Sequence, residues 1–202
     1  MTSDRIGIVL LAAGGSTRMG RPKQLLRIGG RTLIRRATET ALCVGGPVVV
    51  VTGAEAEQVA AEVDDLPVRI IENKDWSRGM GSSLRRGVQT LTESHPDLEA
   101  LIVTLCDQVD VTPDTLNRLR AAYRETQKGL CGASFDETIG PPALFSRTYV
   151  AELLRLPDAS GAKSVLLSRP DDLLPVPCPE AAKDLDTWEE YRRLLGQTDK
   201  DA

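Results

Sequence analysis

The residues best suited to chemistry in this chain lie in a glycine-rich stretch that follows a short apolar run near the amino terminus. Residues 10–23 read LLAAGGSTRMGRPK, so that four small residues precede two cations, Arg18 and Lys23. A turn without bulky side chains exposes backbone N–H groups, which form a concave anion site. A turn that only reverses the chain needs neither cation. The stretch therefore predicts a phosphate cradle at residues 12–15, with room for a nucleoside above it.

Two aspartates are placed to hold a cation beside this cradle. Asp107 follows the apolar run at 100–105, and Asp186 stands in an Asp184-Leu185-Asp186 segment before the last predicted helix. Side chains alternate along an extended segment, so Asp184 and Asp186 lie on the same face. Carboxylates beside a phosphate cradle suit Mg²⁺, and we expect Asp107 and Asp186 to be its ligands. Capping of a turn or a helix is the alternative role for each of them.

A third loop, NKDWSRGMGSS at residues 73–83, follows another predicted strand. Its serines open a predicted helix, so Ser82 is a candidate N-cap, while Ser83 is a candidate for capping or for ligand contact. Trp76 is interpreted as a packed anchor of the loop rather than as a ligand contact. Ligands of open α/β sheets bind beyond the carboxyl ends of the strands. The three loops therefore meet in one site if the strands before them are parallel neighbours.

Apolar runs alternate with helical patterns along the chain, which predicts a three-layer α/β fold. Its sheet is Rossmann-like and mostly parallel, with helices on both faces. Strands are predicted at residues 6–9, 47–52, 68–72, 100–105, 130–135, 142–145 and 173–176. Helices are predicted at residues 33–43, 56–63, 82–91, 113–126, 146–155, 162–168 and 187–195. We expect a single domain over residues 1–196, followed by a polar tail at 197–202.

The composition excludes several classes of function. A net charge of −4 over 202 residues gives no electrostatic footprint for nucleic acid. Four widely spaced cysteines and a single histidine disfavour zinc and redox sites, and the thiols are expected to be reduced. Neither a signal-peptide pattern nor an apolar run of membrane-spanning length is present, which predicts a cytoplasmic protein without a membrane partner.

Two familiar nucleotide-binding motifs are matched only in part by the sequence. Gly15 and Gly20 have the spacing of a P-loop, but Arg21-Pro22 stands where that motif has lysine and a hydroxyl residue. A G-x-G-x-x-G pattern is missing, and the second strand ends in Thr52-Gly53 instead of the acidic residue that holds a dinucleotide ribose. These departures disfavour an NAD(P)-linked oxidoreductase, which stays as an alternative.

Five segments, taken in order, resemble the nucleotidyltransferases that activate molybdenum cofactor. That family is a branch of the nucleotide-diphospho-sugar transferase-like superfamily. The segments are LLAAGGSTRMGRPKQLL at 10–26, NKDWSRGMGSSLRRGV at 73–88, LCDQ at 105–108, GPPALFSR at 140–147 and KDLDTWEEY at 183–191. The first segment is specific to the superfamily, and the ordered set points to the molybdopterin branch.

The resemblance implies transfer of CMP from CTP to the phosphate of molybdopterin or molybdenum cofactor, with release of pyrophosphate and a requirement for Mg²⁺. In that family a Leu-Ala-Ala-Gly form, present here at residues 11–14, accompanies cytidine nucleotides, whereas Leu-Ala-Gly-Gly accompanies guanine. A client molybdenum enzyme is the partner implied. By similarity, Arg18, Lys23 and Asp107 are expected to be catalytic. The expected nucleotide-binding residues are Leu11, Ala12, Ala13, Gly14, Gly15, Arg18, Lys23, Asn73, Gly79, Ser83 and Asp107.

Three other readings stay open at this point. One is a nucleotidyltransferase that acts on a sugar phosphate or an alcohol phosphate. Another is a non-catalytic nucleotide-binding protein or cofactor chaperone, and the last is the NAD(P)-linked oxidoreductase. Turnover of CTP to pyrophosphate separates the first two from each other, and a test of cofactor binding identifies the third.

Overall fold

The computed structural model describes residues 5–16 and 19–198, which form a seven-stranded sheet, a small two-stranded sheet and surrounding helices. The strands are β1 (Ile6–Ala12), β2 (Arg27–Ile28), β3 (Arg31–Thr32), β4 (Val48–Thr52), β5 (Arg69–Glu72), β6 (Ala100–Leu105), β7 (Leu130–Phe135), β8 (Thr138–Ser146) and β9 (Leu173–Pro177). The helices are α1 (Leu33–Val44), α2 (Ala56–Ala61), α3 (Met80–Ser94), α4 (Pro113–Thr126), α5 (Val150–Leu153), α6 (Ala162–Ser168) and α7 (Trp188–Thr198). The predicted α/β class is confirmed.

The strand order of the large sheet is β5-β4-β1-β6-β8-β7-β9, and β8 is the strand that runs against its neighbours. Strand β1 pairs in parallel with β4 on one side and with β6 on the other. The chain leaves β1 towards β4 and β5, and later returns to the opposite side at β6. Such a reversal of strand order opens a crevice at the carboxyl ends. The condition set in the sequence analysis is met for β1 and β6, so the glycine-rich turn and the Asp107 loop lie side by side.

The centre of the sheet is buried on both faces, which explains why β1 is a continuous apolar run. Ile8 and Leu10 of β1 pack in a cluster with side chains of α1 and α4. Val9 and Leu11 pack on the other face in a cluster with side chains of α3 and α6. Each fully buried aliphatic side chain contributes about 1.5–3 kcal/mol relative to exposure. This double burial makes β1 a rigid base for the turn that follows it.

Several boundaries differ from the sequence-based expectations because distant pairing decides them. The predicted helix over 146–155 is wrong at its start, since Ser146 belongs to β8 and pairs with Ala100. A 3₁₀ turn at Arg147–Tyr149 then leads into the short α5. Helix α7 continues to Thr198, beyond the predicted end at 195. None of the helices in the described part of the chain is long and apolar enough to cross a membrane.

Helix α3 lies against β1 and β4 through Gly87, where the backbone approaches the sheet closely. A Cβ atom at this position would lie 2.5 Å from Cγ1 of Val9 and 2.8 Å from Cγ2 of Val51. Both valines are fully buried, and a β-branched side chain has little rotamer freedom with which to move aside. Close packing, rather than backbone conformation, therefore requires glycine here.

Gly87→Ala is expected to destabilise the protein although alanine is the better helix former. Overpacking of a buried contact costs about 1–3 kcal/mol, which exceeds the gain of about 1 kcal/mol from helix propensity. The matched control is Gly196→Ala in α7, where a Cβ meets nothing within 4 Å and only the propensity gain applies. Urea denaturation measures both free energies of unfolding. A Gly87→Ala variant as stable as the wild type would contradict this packing argument.

Candidate active site

The carboxyl ends of β1 and β6 border a cavity of about 220 Å³. Its wall brings together residues of the glycine-rich turn, the 73–83 loop and the Asp107 loop, which are far apart in sequence. The lining residues are Leu11, Ala13, Gly14, Lys23, Gln24, Trp76, Met80, Ser83, Leu105, Cys106 and Asp107. A cavity of about 260 Å³ lies on the opposite face of β6, between α1 and α4, but it contains none of the predicted site residues.

Lys23 occupies the centre of the charged part of this site. Its Nζ atom lies 2.5 Å from Oδ2 of Asp107 and 3.0 Å from Oδ1 of Asp186. The side chains of Lys23 and Asp107 are only 15% and 17% exposed, so solvent screens their attraction weakly. Burial alone would lower the pKa of Lys23, but the two carboxylates outweigh it and raise the pKa above its usual value. Lys23 is therefore a fixed positive charge.

The segment that carries Asp186 is held against the Asp107 loop by backbone contacts. Gln108 and Asp184 form an antiparallel bridge, and the N–H of Leu185 donates to the carbonyl of Asp107 at 3.0 Å. Leu185 is buried in a cluster with side chains of α7, which fixes the segment from behind. Asp107 and Asp186 are 79 positions apart in the chain, yet both carboxylates contact the Lys23 ammonium.

The side chains that cap α7 are those of Thr187 and Glu190. Oγ1 of Thr187 accepts the N–H of Glu190 at 3.2 Å, and Oε2 of Glu190 accepts the N–H groups of Thr187 and Asp186. This reciprocal pattern is a capping box. The carboxylate of Asp186 instead accepts a hydrogen bond from Lys23.

Asp184 is a third carboxyl group near this pair. Its pKa is raised to about 6, first by desolvation among the surrounding atoms and then by the negative charges of Asp107 and Asp186. Lys23 opposes this shift without cancelling it. Of the described residues, Asp107, Asp184 and Asp186 bring three carboxyl groups to the single ammonium of Lys23, which gives this part of the site a negative charge that a metal ion could compensate.

The donor set fits Mg²⁺ in its chemistry. Carboxylate oxygens are the ligands that this ion prefers, and it usually takes only one or two of them, together with water and substrate phosphates. Asp107 and Asp186 offer that number, and both carboxylates already lie against the Lys23 ammonium. Within residues 5–16 and 19–198, no group of three or more His, Cys, Asp or Glu side chains is arranged to hold a metal ion.

The glycine-rich turn is held from behind by Gln24, a residue to which the sequence analysis assigned no role. Its Nε2 atom donates to the carbonyl of Ala12 at 2.9 Å and to the carbonyl of Gly14 at 2.7 Å, and the residue is only 1% exposed. The carbonyl between them, that of Ala13, accepts the N–H of Ala54 at 3.1 Å. Three successive peptide groups of the turn are thus fixed in orientation.

Trp76 covers the far side of the same turn. A Cβ atom at Gly15 would lie 2.8 Å from the Trp76 ring, and one at Gly53 would lie 2.6 Å from Cβ of Trp76. The side chain also packs against the buried cluster around Val9 and Leu11. This packing agrees with the interpretation of Trp76 as a loop anchor, and the ring additionally lines the cavity.

The first turn of α3 differs from the predicted one. The helix begins at Met80 with Gly79 at its N-cap, so the expectation that Ser82 caps it is wrong. Ser82 instead donates to the carbonyl of Gly79 at 2.9 Å from within the first turn. Nδ2 of buried Asn73 donates to the hydroxyls of both Ser82 and Ser83, at 2.8 and 2.9 Å. Asn73 thereby fixes the orientation of the Ser83 hydroxyl beside the cavity.

The predicted site residues divide into three groups in the structure. Those in the cavity wall are Leu11, Ala13, Gly14, Lys23, Ser83 and Asp107. Those that adjoin or support the wall are Ala12, Gly15, Asn73, Gly79 and Asp186. Arg18 lies outside the described residues, so its predicted contact with phosphate stays a prediction.

Comparison with known proteins finds relatives that are similar to most of the chain. The sequence model of the MobA-like NTP transferase domain matches residues 8–173. The nicotine blue oxidoreductase of Paenarthrobacter nicotinovorans is 37% identical, over 93% of this chain and 95% of that protein. The molybdenum cofactor cytidylyltransferase of Escherichia coli is 21% identical, over 92% of this chain and 93% of that protein.

A solved structure is similar to the chain over nearly its whole length. The crystal structure of Rv0371c from Mycobacterium tuberculosis has a TM-score of 0.79 and 32% identity, and it covers 97% of this chain and 100% of its own. A second structure of that protein is a complex with manganese, at a TM-score of 0.74 and 30% identity, over 95% of this chain and 98% of its own.

Asp184→Asn is expected to stabilise the protein near neutral pH. The folded state holds the Asp184 proton more tightly than the unfolded chain, whose aspartates titrate at about 4, so the wild-type free energy of unfolding falls as the pH rises through about 6. Asparagine removes this penalty, and we expect a gain of about 1 kcal/mol near pH 7 after solvent screening, vanishing towards about pH 4. Urea denaturation without divalent cations measures it.

Asp171→Asn is the charge-matched control, because Asp171 is exposed and lies outside the carboxylate cluster. A gain that is the same in both variants, or that persists unchanged at low pH, would contradict the assignment of the effect to the cluster.

Proposed function

Because the chain belongs to the MobA-like NTP transferase family, we propose that it transfers CMP from CTP to the phosphate of molybdopterin or molybdenum cofactor, releasing pyrophosphate. The chain is a nucleotidyltransferase; the identity of the nucleotide and of the acceptor is the proposal. The observation that carries it is the convergence of Lys23, Asp107 and Asp186 beside a turn of small residues. A similar full-length protein is named a molybdenum cofactor cytidylyltransferase.

The reaction needs alignment and charge neutralisation more than proton transfer. The acceptor is a phosphate monoester, whose second pKa is about 6, so an oxygen of its dianion attacks the α-phosphorus without a general base. The bond between the α-phosphorus and the bridging oxygen to the β-phosphate breaks, and pyrophosphate leaves with that electron pair. Positioned charges can contribute most of the acceleration of such a step.

The residues of the site divide these tasks among them. The backbone at residues 12–15 binds phosphate, and the Ser83 hydroxyl faces the cytosine edge. Lys23, with Arg18, neutralises the triphosphate and the departing pyrophosphate. An ammonium has three N–H donors, so Lys23 can bind phosphate while it keeps a contact with a carboxylate. Asp107 and Asp186 would hold Mg²⁺, which would supply further positive charge to neutralise the phosphates.

Mass spectrometry of the product formed from CTP and purified molybdopterin tests the proposal. The expected product is a cytidylyl diphosphate adduct of the pterin, formed together with pyrophosphate. Turnover of CTP only with a sugar phosphate or alcohol phosphate would replace the acceptor in the proposal. Binding of CTP without turnover, together with capture of a molybdenum enzyme, would identify a non-catalytic cofactor chaperone.

An oxidoreductase is the second candidate, because the 37% identical relative is named nicotine blue oxidoreductase. The structure agrees with the sequence argument against a dinucleotide, because β4 ends at Thr52 and has no acidic residue at its end to hold a ribose. Oxidation of NADH or NADPH with nicotine blue as acceptor tests this candidate. Pyrophosphate release from CTP without any such oxidation would reject it.

Asp107→Asn is expected to reduce turnover by about two orders of magnitude or more, as does removal of other groups that stabilise a transition state. The substitution keeps the volume of the side chain but removes the charge that faces Lys23 and the proposed Mg²⁺. The control is Asp97→Asn in an exposed loop, which should leave turnover unchanged. Pyrophosphate release is measured against Mg²⁺ concentration, and near-normal metal-dependent turnover in Asp107→Asn would reject its role as a ligand.

The enzyme is expected to prefer CTP to GTP by about 10- to 200-fold, since a methyl group in a pocket discriminates by about 1–3 kcal/mol. The Ala13 side chain lies in the cavity wall, where it narrows the space for a purine. Ala13→Gly should therefore raise kcat/KM for GTP. Ala12→Gly is the matched control, because Ala12 packs in the cluster on the other face of the sheet. Equal kcat/KM values for CTP and GTP in the wild type would reject the selectivity.

A further inference from the structure

Gln24 is a buried side chain that touches the glycine-rich turn at more than one point. Its amide nitrogen binds the carbonyls of Ala12 and Gly14, at 2.9 and 2.7 Å. Its Oε1 atom lies 3.4 Å from the hydroxyl of Ser16, which completes the contact with the turn. The amide therefore spans the turn from the end of β1 to the residue after the second glycine.

The two carbonyl contacts determine where the adjoining N–H groups point. In a planar trans peptide the N–H lies on the opposite side from the C=O of the same unit. With the carbonyls of Ala12 and Gly14 directed at Gln24, the N–H groups of Ala13 and Gly15 are directed away from it. Small residues allow many orientations of these peptides, so the turn alone does not select this one.

Gln24 is also coupled to Lys23, its neighbour in a short 3₁₀ turn at Lys23–Leu25. The N–H of Lys23 donates to the Ser16 hydroxyl at 2.9 Å, and Ser16 is the residue that Gln24 contacts. The Lys23 side chain leaves this turn towards Asp107 and Asp186. One buried amide thus links the direction of two backbone donors to the position of the site's ammonium.

From this geometry we infer that Gln24 is a positioning residue, which fixes the N–H groups of Ala13 and Gly15 as donors to the polyphosphate of the nucleotide. The inference rests on the proposed function in so far as that function requires a nucleoside triphosphate. Gln24 acts through the backbone carbonyls that it binds, and its own side chain is almost fully buried. Its loss should therefore weaken recognition of the phosphate chain more than recognition of the nucleoside.

The test compares Gln24→Met with the wild type. Methionine is unbranched and similar in volume, so it fills the buried space while it removes the amide. Isothermal titration calorimetry with Mg²⁺ present measures the affinities for CTP, CMP and inorganic pyrophosphate. We expect a loss of about 10-fold or more for CTP and pyrophosphate and less than about twofold for CMP, because hydrogen bonds to charged groups are the stronger ones.

Thr38→Val is the control for a purely structural effect. Thr38 is fully buried in α1, where its hydroxyl donates to the carbonyl of Ile34 at 2.7 Å, away from the turn. The variant also loses a buried hydrogen bond to the backbone, so it should become less stable without a change in the ratio of CTP to CMP affinity. An unchanged ratio in Gln24→Met, or an equal change in Thr38→Val, would overturn the inference.

A second variant keeps the inference testable if Gln24→Met does not fold. Ser16 has a φ of +48°, so Ser16→Gly removes the hydroxyl contact of Gln24 without backbone strain. Like Gln24→Met, it should lower the ratio of CTP affinity to CMP affinity, but by a smaller factor. An unchanged ratio would count against the inference. A wild-type protein that binds neither CTP nor pyrophosphate would instead reject the proposed function, and the inference with it.

Discussion

The convergence of two carboxylates on one ammonium is the interaction on which the arrangement of the site depends. Asp107 and Asp186 would repel each other across this small space without Lys23 between them. Each partner is positioned by a different part of the fold: Asp107 by β6, Lys23 by the turn after β1, and Asp186 by the segment before α7. The parallel pairing of β1 with β6 places the first two at one edge of the sheet. The contacts of Leu185 and α7 then bring the third.

The architecture could be predicted from the sequence where local patterns decide it. Strands β6 and β7 and helix α6 have the predicted bounds, because apolar runs end at clear breaks in the pattern. The direction and length of β8 could not be predicted, since its pairing with β6 and β7 is a long-range property. The Gly29-Gly30 turn between β2 and β3 did carry a local hairpin signal, two glycines with positive φ, which the sequence analysis did not use.

The site was predictable in its charged and small residues but not in the groups that support them. Phosphate and metal chemistry restricts residue types strongly, so Lys23 and Asp107 are visible as candidates in the sequence. Gln24 is not, because a glutamine can serve anywhere on a surface and only its burial against two carbonyls gives it a role. The sequence offered one signal for Gln24, which is its place directly after Lys23 in the glycine-rich stretch. Asp184 stands two positions before Asp186 in the sequence, but its raised pKa arises first from burial and then from the charges of Asp107 and Asp186, which only the fold brings together.

The packing of Trp76 against the turn has an evolutionary consequence. Among the described residues, a side chain at position 15 would clash closely with the Trp76 ring alone. A Cβ at position 53 would clash with Trp76 and would also lie 2.7 Å from the Ala13 carbonyl oxygen. A smaller residue at position 76 would therefore release position 15 but leave position 53 restricted. Substitutions at 15 and 76 are consequently epistatic. A survey of single substitutions would classify Gly15 as invariant, although the restriction on its size depends on the residue at position 76.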